Sequence, residues 1–545
     1  MQPRTLETPM IPLPPSNKAE WVSRARILKT QTGLATSLFP MLDRDYRAPM
    51  RQTAGETADY TLERVAIESL AGLFVTGSLW LPKKNGKRPA MLQAHGHFQE
   101  GRLNKADLIR AETLARSGYI VFAWDMVGYN DCDQIPHNWE ASDLQKLYGF
   151  SQMALQTLHS RRALDFVLSL PNVDPKRVGM SGISGGGTQT FILAAIEERL
   201  SLSVPVKMVS AHMQGGCICE NAPSLRTFAG NGEIAALAAP RPMLLISDTG
   251  DWTKDNPKEI VPMARAVYRT LGAEANFAHA HCDEGHQFGP PARAAYYQFL
   301  TKQFGPPDQP FIDKEPEFEL SAYRVWKDDF RRPAGVSSVD QAFEQWKMEA
   351  ARANIRAREQ PNAGRDGRAA FRALVGAGVG ASMHKEGRRI IVVADDRPGA
   401  PVLICEREPG GALAERMALA IGGMRPRNAA IYRVLEFHAP PVQPSKYYDA
   451  YNWTPAAHKA RAVHAVLRFL SAEHGDREVG VLAEGEDAVC ALIGAVGFER
   501  LLPSRFVGVG NGSPEELVKR CNIPHLMRLG GFDTAQRIAP VTLIP

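Results

Sequence analysis

The sequence predicts an α/β protein, a doubly wound and mostly parallel sheet followed by a smaller domain built on the same plan. Three observations carry this. Short apolar runs recur, each ending in a polar or glycine-rich loop and each followed by a stretch with helical apolar spacing. Residues 178–190, VGMSGISGGGTQT, read as a strand end, a tight turn and a helix start. The order of helix, strand and glycine turn then returns beyond residue 450 at nearly the same spacing.

Taken in order, residues 1–60 hold a proline-rich arm, PMIPLPP at 9–15, and a stretch from Trp21 with helical spacing, expected to strap onto the main domain. The main domain spans 61–310. Residues 61–67 and 73–81 read as strands, the second alternating well enough for an antiparallel edge. Residues 88–94 form a strand that runs into a His95-Gly96-His97 turn. A strand at 121–125, a helix at 152–170 and the strand before Ser184 come next. Apolar runs at 203–210, 241–247 and 275–282 complete the sheet, and their carboxyl-end loops lie where open α/β sheets bind ligands.

Residues 311–370 read as a linker carrying a polar helix over 339–358. Residues 371–545 form the smaller domain. Its register sets Gly485 in place of Ser184, and residues 524–533 parallel 242–251, with Asp533 over Asp251. No histidine counterpart follows, so this degenerate copy is expected to be non-catalytic, covering the main domain's cleft or offering a binding surface.

Ser184 is the candidate nucleophile. A serine between strand and helix adopts a strained backbone, and Gly182 and Gly186 let the flanking segments approach without a Cβ clash. The helix start directs free N–H groups and a positive dipole end at charge that develops beside the hydroxyl, making the Gly185 amide one oxyanion donor. The amides near His97 and Phe98 are the expected second donor. The acid and the base should follow in that order along the chain. Asp251 is the expected acid, on the loop that also holds Asp248 and Asp255, and His286 the expected base. His279 and His281 lie on a strand, where packing or hydrogen bonding is the commoner role.

These elements in this order, over residues 60 to 305, resemble the α/β-hydrolase superfamily. The segment MQGGCICENAPSLR at 213–226 and the loop GDWTK at 250–254 resemble bacterial hydrolases grouped with acetyl xylan esterases, which act on carbohydrate esters. The resemblance implies a serine ester hydrolase working through an acyl-enzyme. The same neighbourhood includes glucuronoyl esterases, which implies Glu220 as an alternative acid. Asn221 and Arg226 are candidate contacts to a sugar hydroxyl or carboxylate, and an Asx turn and a local ion pair are their equally weighted structural readings. Trp252 is either a platform for a sugar face or a core residue. A serine peptidase of the prolyl-oligopeptidase type shares the triad order, although no blade-length repeat is visible. A non-enzymatic binding scaffold is the third reading, opposed by an intact Ser184, Asp251 and His286.

Composition fits a large globular enzyme: 44% hydrophobic and 23% charged residues leave ample apolar content for two or three cores in 545 residues. A net charge of +5 without aromatic-interleaved basic stretches argues against nucleic acid as a partner. The expected partner is a small-molecule or carbohydrate ester, and a homo-oligomer is left open. The seven cysteines form neither a disulfide framework nor paired Cys-x-x-Cys knuckles, so free thiols are expected, although Cys217 and Cys219 share the 213–226 loop. Spacing suggests no metal site and the chemistry needs no cofactor. No run reaches the roughly 18 apolar residues of a membrane span. The amino-terminal residues lack a secretory pattern, the expectation being a cytoplasmic protein or an exported one already trimmed.

Overall fold

The computed structural model describes residues 4–40, 47–227, 229–374, 392–394, 402–405, 431–434, 446–473, 478–484 and 487–544. Nine strands form the larger sheet: β1 Met50–Glu56, β2 Tyr60–Leu70, β3 Leu73–Pro82, β4 Arg88–Ala94, β5 Ile120–Trp124, β6 Val173–Ile183, β7 Leu202–Val206, β8 Met243–Asp248 and β9 Phe277–Cys282. Their spatial order is β1-β2-β3-β5-β4-β6-β7-β8-β9. Pairs from β1 to β5 through β3 are antiparallel, and every pair from β5 through β4 to β9 is parallel.

The inner strands are apolar throughout because both faces are covered. Along β4 and β5, Leu92 and Phe122 enter one core while their neighbours Met91 and Val121 enter the other. On β8, Leu245 and Ile246 divide the same way. Alternation of side-chain direction with burial on both sides gives a near-continuous hydrophobic run. Full burial of each such side chain contributes about 1.5–3 kcal/mol. Helix Gln152–Ser169, capped by Ser151, helps cover one face, with Leu155, Leu158 and Leu164 in the core it shares with Leu92. Helix Lys105–Arg116 helps cover the other, with Leu108 and Leu114 beside Met91.

The arm and the edge need correction. The strand at 73–82 is antiparallel but interior, lying between β2 and β5. The edge is β1, inside the stretch read as arm, and its pattern of half-exposed residues is that of an edge strand. The helix read at 339–358 is Val339–Arg358, and Trp346 on it is fully buried in the main core. That helix therefore packs as part of the fold and does not act as a spacer.

A second sheet has the order β10-β12-β11-β13-β14-β15, with β10 Val392–Ala394, β11 Val402–Cys405, β12 Ile431–Val434, β13 Gly480–Glu484, β14 Ser504–Val507 and β15 Val541–Ile544. It is parallel except for β10 against β12. Gly485 lies outside the described residues. The stretch 524–533 is not the strand expected from its likeness to 242–251: it holds a 3-10 turn, Met527–Leu529, and the start of helix Gly531–Ile538. Paired glycines Gly530 and Gly531, both with positive φ, stop extension there, so Asp533 sits in a first helical turn.

Candidate active site

Ser184 has φ 56° and ψ −125°, a conformation strained for a residue with a side chain. It lies between β6 and the helix Gly185–Ile196. A Cβ on Gly186 would run into the carbonyl oxygen of Ala94, and one on Gly182 into the carbonyl of Gly186. Only glycines permit β4, β6 and the helix to meet so closely. The loop after β4 arrives beside the serine, where a Cβ on Gly96 would stand 3.2 Å from the Ser184 Cβ.

The loop after β8 carries Asp251 and the loop after β9 carries His286. Asp251 Oδ2 lies 2.9 Å from His286 Nδ1, and the carboxylate is almost fully buried. Its other oxygen accepts from the Thr253 amide at 2.7 Å and from the Thr253 hydroxyl at 2.5 Å. With Nδ1 donating to a fixed carboxylate, the lone pair is left on Nε2, the arrangement a proton acceptor requires. Nε2 is buried and has no hydrogen-bond partner among the described residues. The Trp252 ring leans on the imidazole, centroids 4.3 Å apart, which places this residue against the histidine. Asp255 stands at the N-cap position of the next helix, Asn256–Thr270, and its side chain makes no capping bond among the described residues.

Sequence reading missed what aligns these two loops. Lys207, at the end of β7 with φ 51°, is completely buried. Its Nζ reaches Asp248 Oδ2 at 2.8 Å, Glu284 Oε1 at 3.0 Å and the Gly285 carbonyl at 2.6 Å. Asp248 in turn accepts from the amides of Gly250, Glu284 and Gly285. The acid loop and the base loop thus share one charged knot. A lysine following an apolar strand gave the only local signal, and its partners are far away in sequence. His279 and His281 both bond the Ser247 hydroxyl at 2.7 Å on the sheet itself.

The acetyl xylan esterase (AXE1) family model matches residues 51–211, which hold the elbow and the loop after β4. YtaP of Bacillus subtilis (strain 168), a protein named as a hydrolase, is 27% identical over 245 residues, 41% of this chain and 81% of YtaP. The solved structure of Methylesterase BT1017 superimposes with a TM-score of 0.54 at 28% identity, covering 64% of this chain and 78% of that one. The chain is an α/β-hydrolase, and an ester hydrolase.

In this α/β-hydrolase the 213–226 loop is bound up with itself. Asn221 and Arg226, read as substrate contacts, are buried. The Asn221 amide donates to the carbonyls of Gly215 and Cys217, and its oxygen accepts from Arg226 Nη1 and the Tyr451 hydroxyl, each at 3.0 Å. Arg226 further donates to Asn231 Oδ1 and the Glu220 carbonyl. Both therefore hold the loop, because a substrate would have to break three or more buried bonds to reach them. Glu220 is likewise spent locally, accepting from Thr188 Oγ1 at 3.2 Å and the Cys217 amide at 2.9 Å.

The loop after β4 is fixed by a histidine. His95 Nδ1 bonds the Gly96 carbonyl at 2.7 Å, and Nε2 accepts the Met126 amide at 2.9 Å. Burial holds its imidazole neutral, pushing its pKa down to about 3. The His97 ring packs against the hydrolase's helix start, where a Cβ on Gly185 would stand 2.5 Å from it. The sequence spacing suggested no metal-ligand cluster, yet the fold assembles one: His97, His137, Cys217 and Cys219 present donor atoms within 4.8 Å of one another.

Proposed function

We propose that this ester hydrolase works by serine acyl transfer on carbohydrate esters. Ser184 attacks the ester carbonyl while His286 Nε2 takes its proton, Asp251 holds the imidazolium, and the amides of Gly185 and of the loop at His97 and Phe98 receive the oxyanion. The leaving alcohol takes the proton from His286, and water repeats the two steps on the acyl-enzyme. The observation carrying this reading is the Asp251–His286 bond at 2.9 Å with Nε2 unpartnered among the described residues, in a fold that also holds Ser184 in its strained turn. Asp251 is preferred over Glu220 because it alone of the two bonds the imidazole.

The carbohydrate assignment draws on the acetyl xylan esterase family match over 51–211. An acetylated sugar is the first substrate expected. The likeness to a protein named methylesterase favours a second reading, a methyl ester of a sugar acid. Hydrolysis of a short-chain aryl acetate by wild type and Ser184→Ala, followed by acetylated xylan and a methyl glucuronate, tests both. Activity that vanishes with Ser184 and extends to one sugar ester supports the proposal. Turnover that survives the substitution, or confinement to peptide substrates, refutes it.

A further inference from the structure

We infer that His97, His137, Cys217 and Cys219 form a zinc site that staples three loops of this hydrolase together. The residues come from the loop after β4, the loop after β5 and the 213–226 loop. His97 precedes Cys219 by 122 residues and His137 precedes Cys217 by 80, so no linear motif announces the set. The donor atoms already face inward. His97 Nε2 lies 3.0 Å from Cys219 Sγ, and His137 Nε2 lies 3.5 Å from Cys217 Sγ. Zinc bonds of about 2.0–2.3 Å to nitrogen and sulfur set tetrahedral donors roughly 3.3–3.8 Å apart, so donors lying from 3.0 Å to within 4.8 Å of one another need only small side-chain adjustments.

Donor chemistry selects the ion. Two imidazoles and two thiols suit zinc, with borderline-soft character and no geometric demand beyond four neighbours, and they do not suit calcium or magnesium, which take oxygen. The surroundings are those of ligands held in place. His137 Nδ1 sits 2.6 Å from the Val127 carbonyl and 2.8 Å from Gln152 Nε2, contacts that fix the ring with Nε2 turned toward Cys217. The amide of Cys217 is tied to Glu220, and the neighbouring Gly216 carbonyl accepts from the Tyr447 hydroxyl at 3.1 Å. Cys219 is buried while the other three are half-buried, which leaves a route of entry.

Four protein ligands close the coordination sphere, as in structural zinc sites, and leave no position for substrate. The role is one of positioning. The His97 ring touches the helix start at Gly185, so an ion on its Nε2 would fix the loop that passes beside Ser184. The zinc deprotonates both thiols on binding and releases those protons to solvent.

Metal analysis of the full-length chain, purified with thiols kept reduced, tests the inference independently of any esterase assay. About one zinc per chain is expected in wild type and in Ser184→Ala, and loss of it in His137→Ala and Cys217→Ser. Cobalt added to the metal-free wild type should give the intense visible bands of a tetrahedral ion and thiolate charge transfer in the near ultraviolet, which guards against variants that fail to fold. Chelator should lower Tm in wild type and not in His137→Ala. Failure of the reduced wild type to take up either ion overturns the site. So does full zinc content in His137→Ala, or recovery of Cys217 and Cys219 as a disulfide. Zinc retained by an inactive Ser184→Ala protein keeps this result separate from the fate of the esterase proposal.

Discussion

Lys207 Nζ and Asp248 Oδ2 lie 2.8 Å apart with both side chains completely buried, and this pair joins the loops that carry Asp251 and His286. Burial alone would raise the Asp248 carboxyl. The Lys207 bond and the amides of Gly250 and Glu284 outweigh it and hold the group below the ordinary aspartate value. Replacing Lys207 with Met leaves a buried carboxylate without its cation, which should cost about 3–5 kcal/mol in urea unfolding. Asp248 has a depressed folded pKa, so its stabilisation is present above the unfolded value of about 3.9 and is lost as pH falls through the lower folded value. A Lys207→Met protein with wild-type unfolding and wild-type kcat would show that the knot neither stabilises nor aligns.

Asp251 and Glu220 are separated by one pair of substitutions. Asp251→Asn removes the acceptor that fixes the His286 tautomer and should lower kcat by about 10⁴-fold. Glu220→Gln keeps the shape of a side chain that bonds Thr188 and the Cys217 amide among the described residues, so kcat should stay within about a few-fold while Tm falls. The reverse ordering of the two kcat values would transfer the acid to Glu220.

The features legible in the sequence are those where one short segment dictates its own geometry. The elbow at Ser184 needs its glycines within two residues, and strands buried on both faces announce themselves as apolar runs. Asn221 and Arg226 were misleading because polar side chains on a cleft loop look alike whether they meet a sugar or each other. Their partners, Tyr451 and Asn231 among them, are set by chain folding. Lys207 and the His97, His137, Cys217 and Cys219 cluster were invisible for the same reason: the partners meet across separate loops. No strand forms at 524–533 because Gly530 and Gly531 favour a turn, a preference that apolar content alone does not register.

The tightness of the elbow makes a sharp steric prediction. Gly186→Ala places a methyl group against the Ala94 carbonyl, backbone that cannot swing aside, and β4 must shift to admit it. Overpacking of this kind costs about 1–3 kcal/mol or more and displaces the helix that presents the Gly185 amide. Both Tm and kcat should fall together. Circular dichroism melts beside aryl acetate kinetics measure the two, and unchanged values would show that β4 admits the methyl group without cost.

His159 gives the acid side of the stability curve. It is fully buried on helix Gln152–Ser169, with Nε2 3.0 Å from the Ser69 hydroxyl, and burial lowers its pKa to about 3. Between that value and the unfolded value of about 6.5 the unfolded chain binds a proton that the native chain refuses. Stability contributed by neutral burial is therefore intact above about pH 6.5 and falls by about 1.4 kcal/mol per pH unit below it. His159→Leu should flatten the dependence of urea-unfolding free energy between about pH 5 and 6 by that slope. An unaltered slope would show that His159 titrates normally in the fold.

The short helix Tyr448–Tyr451 meets the hydrolase at the same loop that carries Glu220. The amides of Ser224 and Arg226 each donate, at 2.7 Å, to the carbonyls of Asp449 and Ala450, and the Tyr451 hydroxyl donates to Asn221 Oδ1 at 3.0 Å inside the contact. A segment held by three such bonds from another part of the chain has fewer conformations to lose when substrate arrives. Tyr451→Phe removes one bond while the Asn221 oxygen keeps Arg226, so the cost should be about 0.5–1.5 kcal/mol. Asn221→Ala should cost more, because it also removes one of the bonds of Arg226 and the donor to two carbonyls. The double variant should be less damaging than the sum of the singles by about 0.5–3 kcal/mol, the signature of residues in one network. If the loop serves the chemistry, Tyr451→Phe should also raise KM or lower kcat although the residue lies outside the Ser184, Asp251 and His286 set. Additive stabilities with unchanged kinetics would leave the Tyr448–Tyr451 helix without influence on the site.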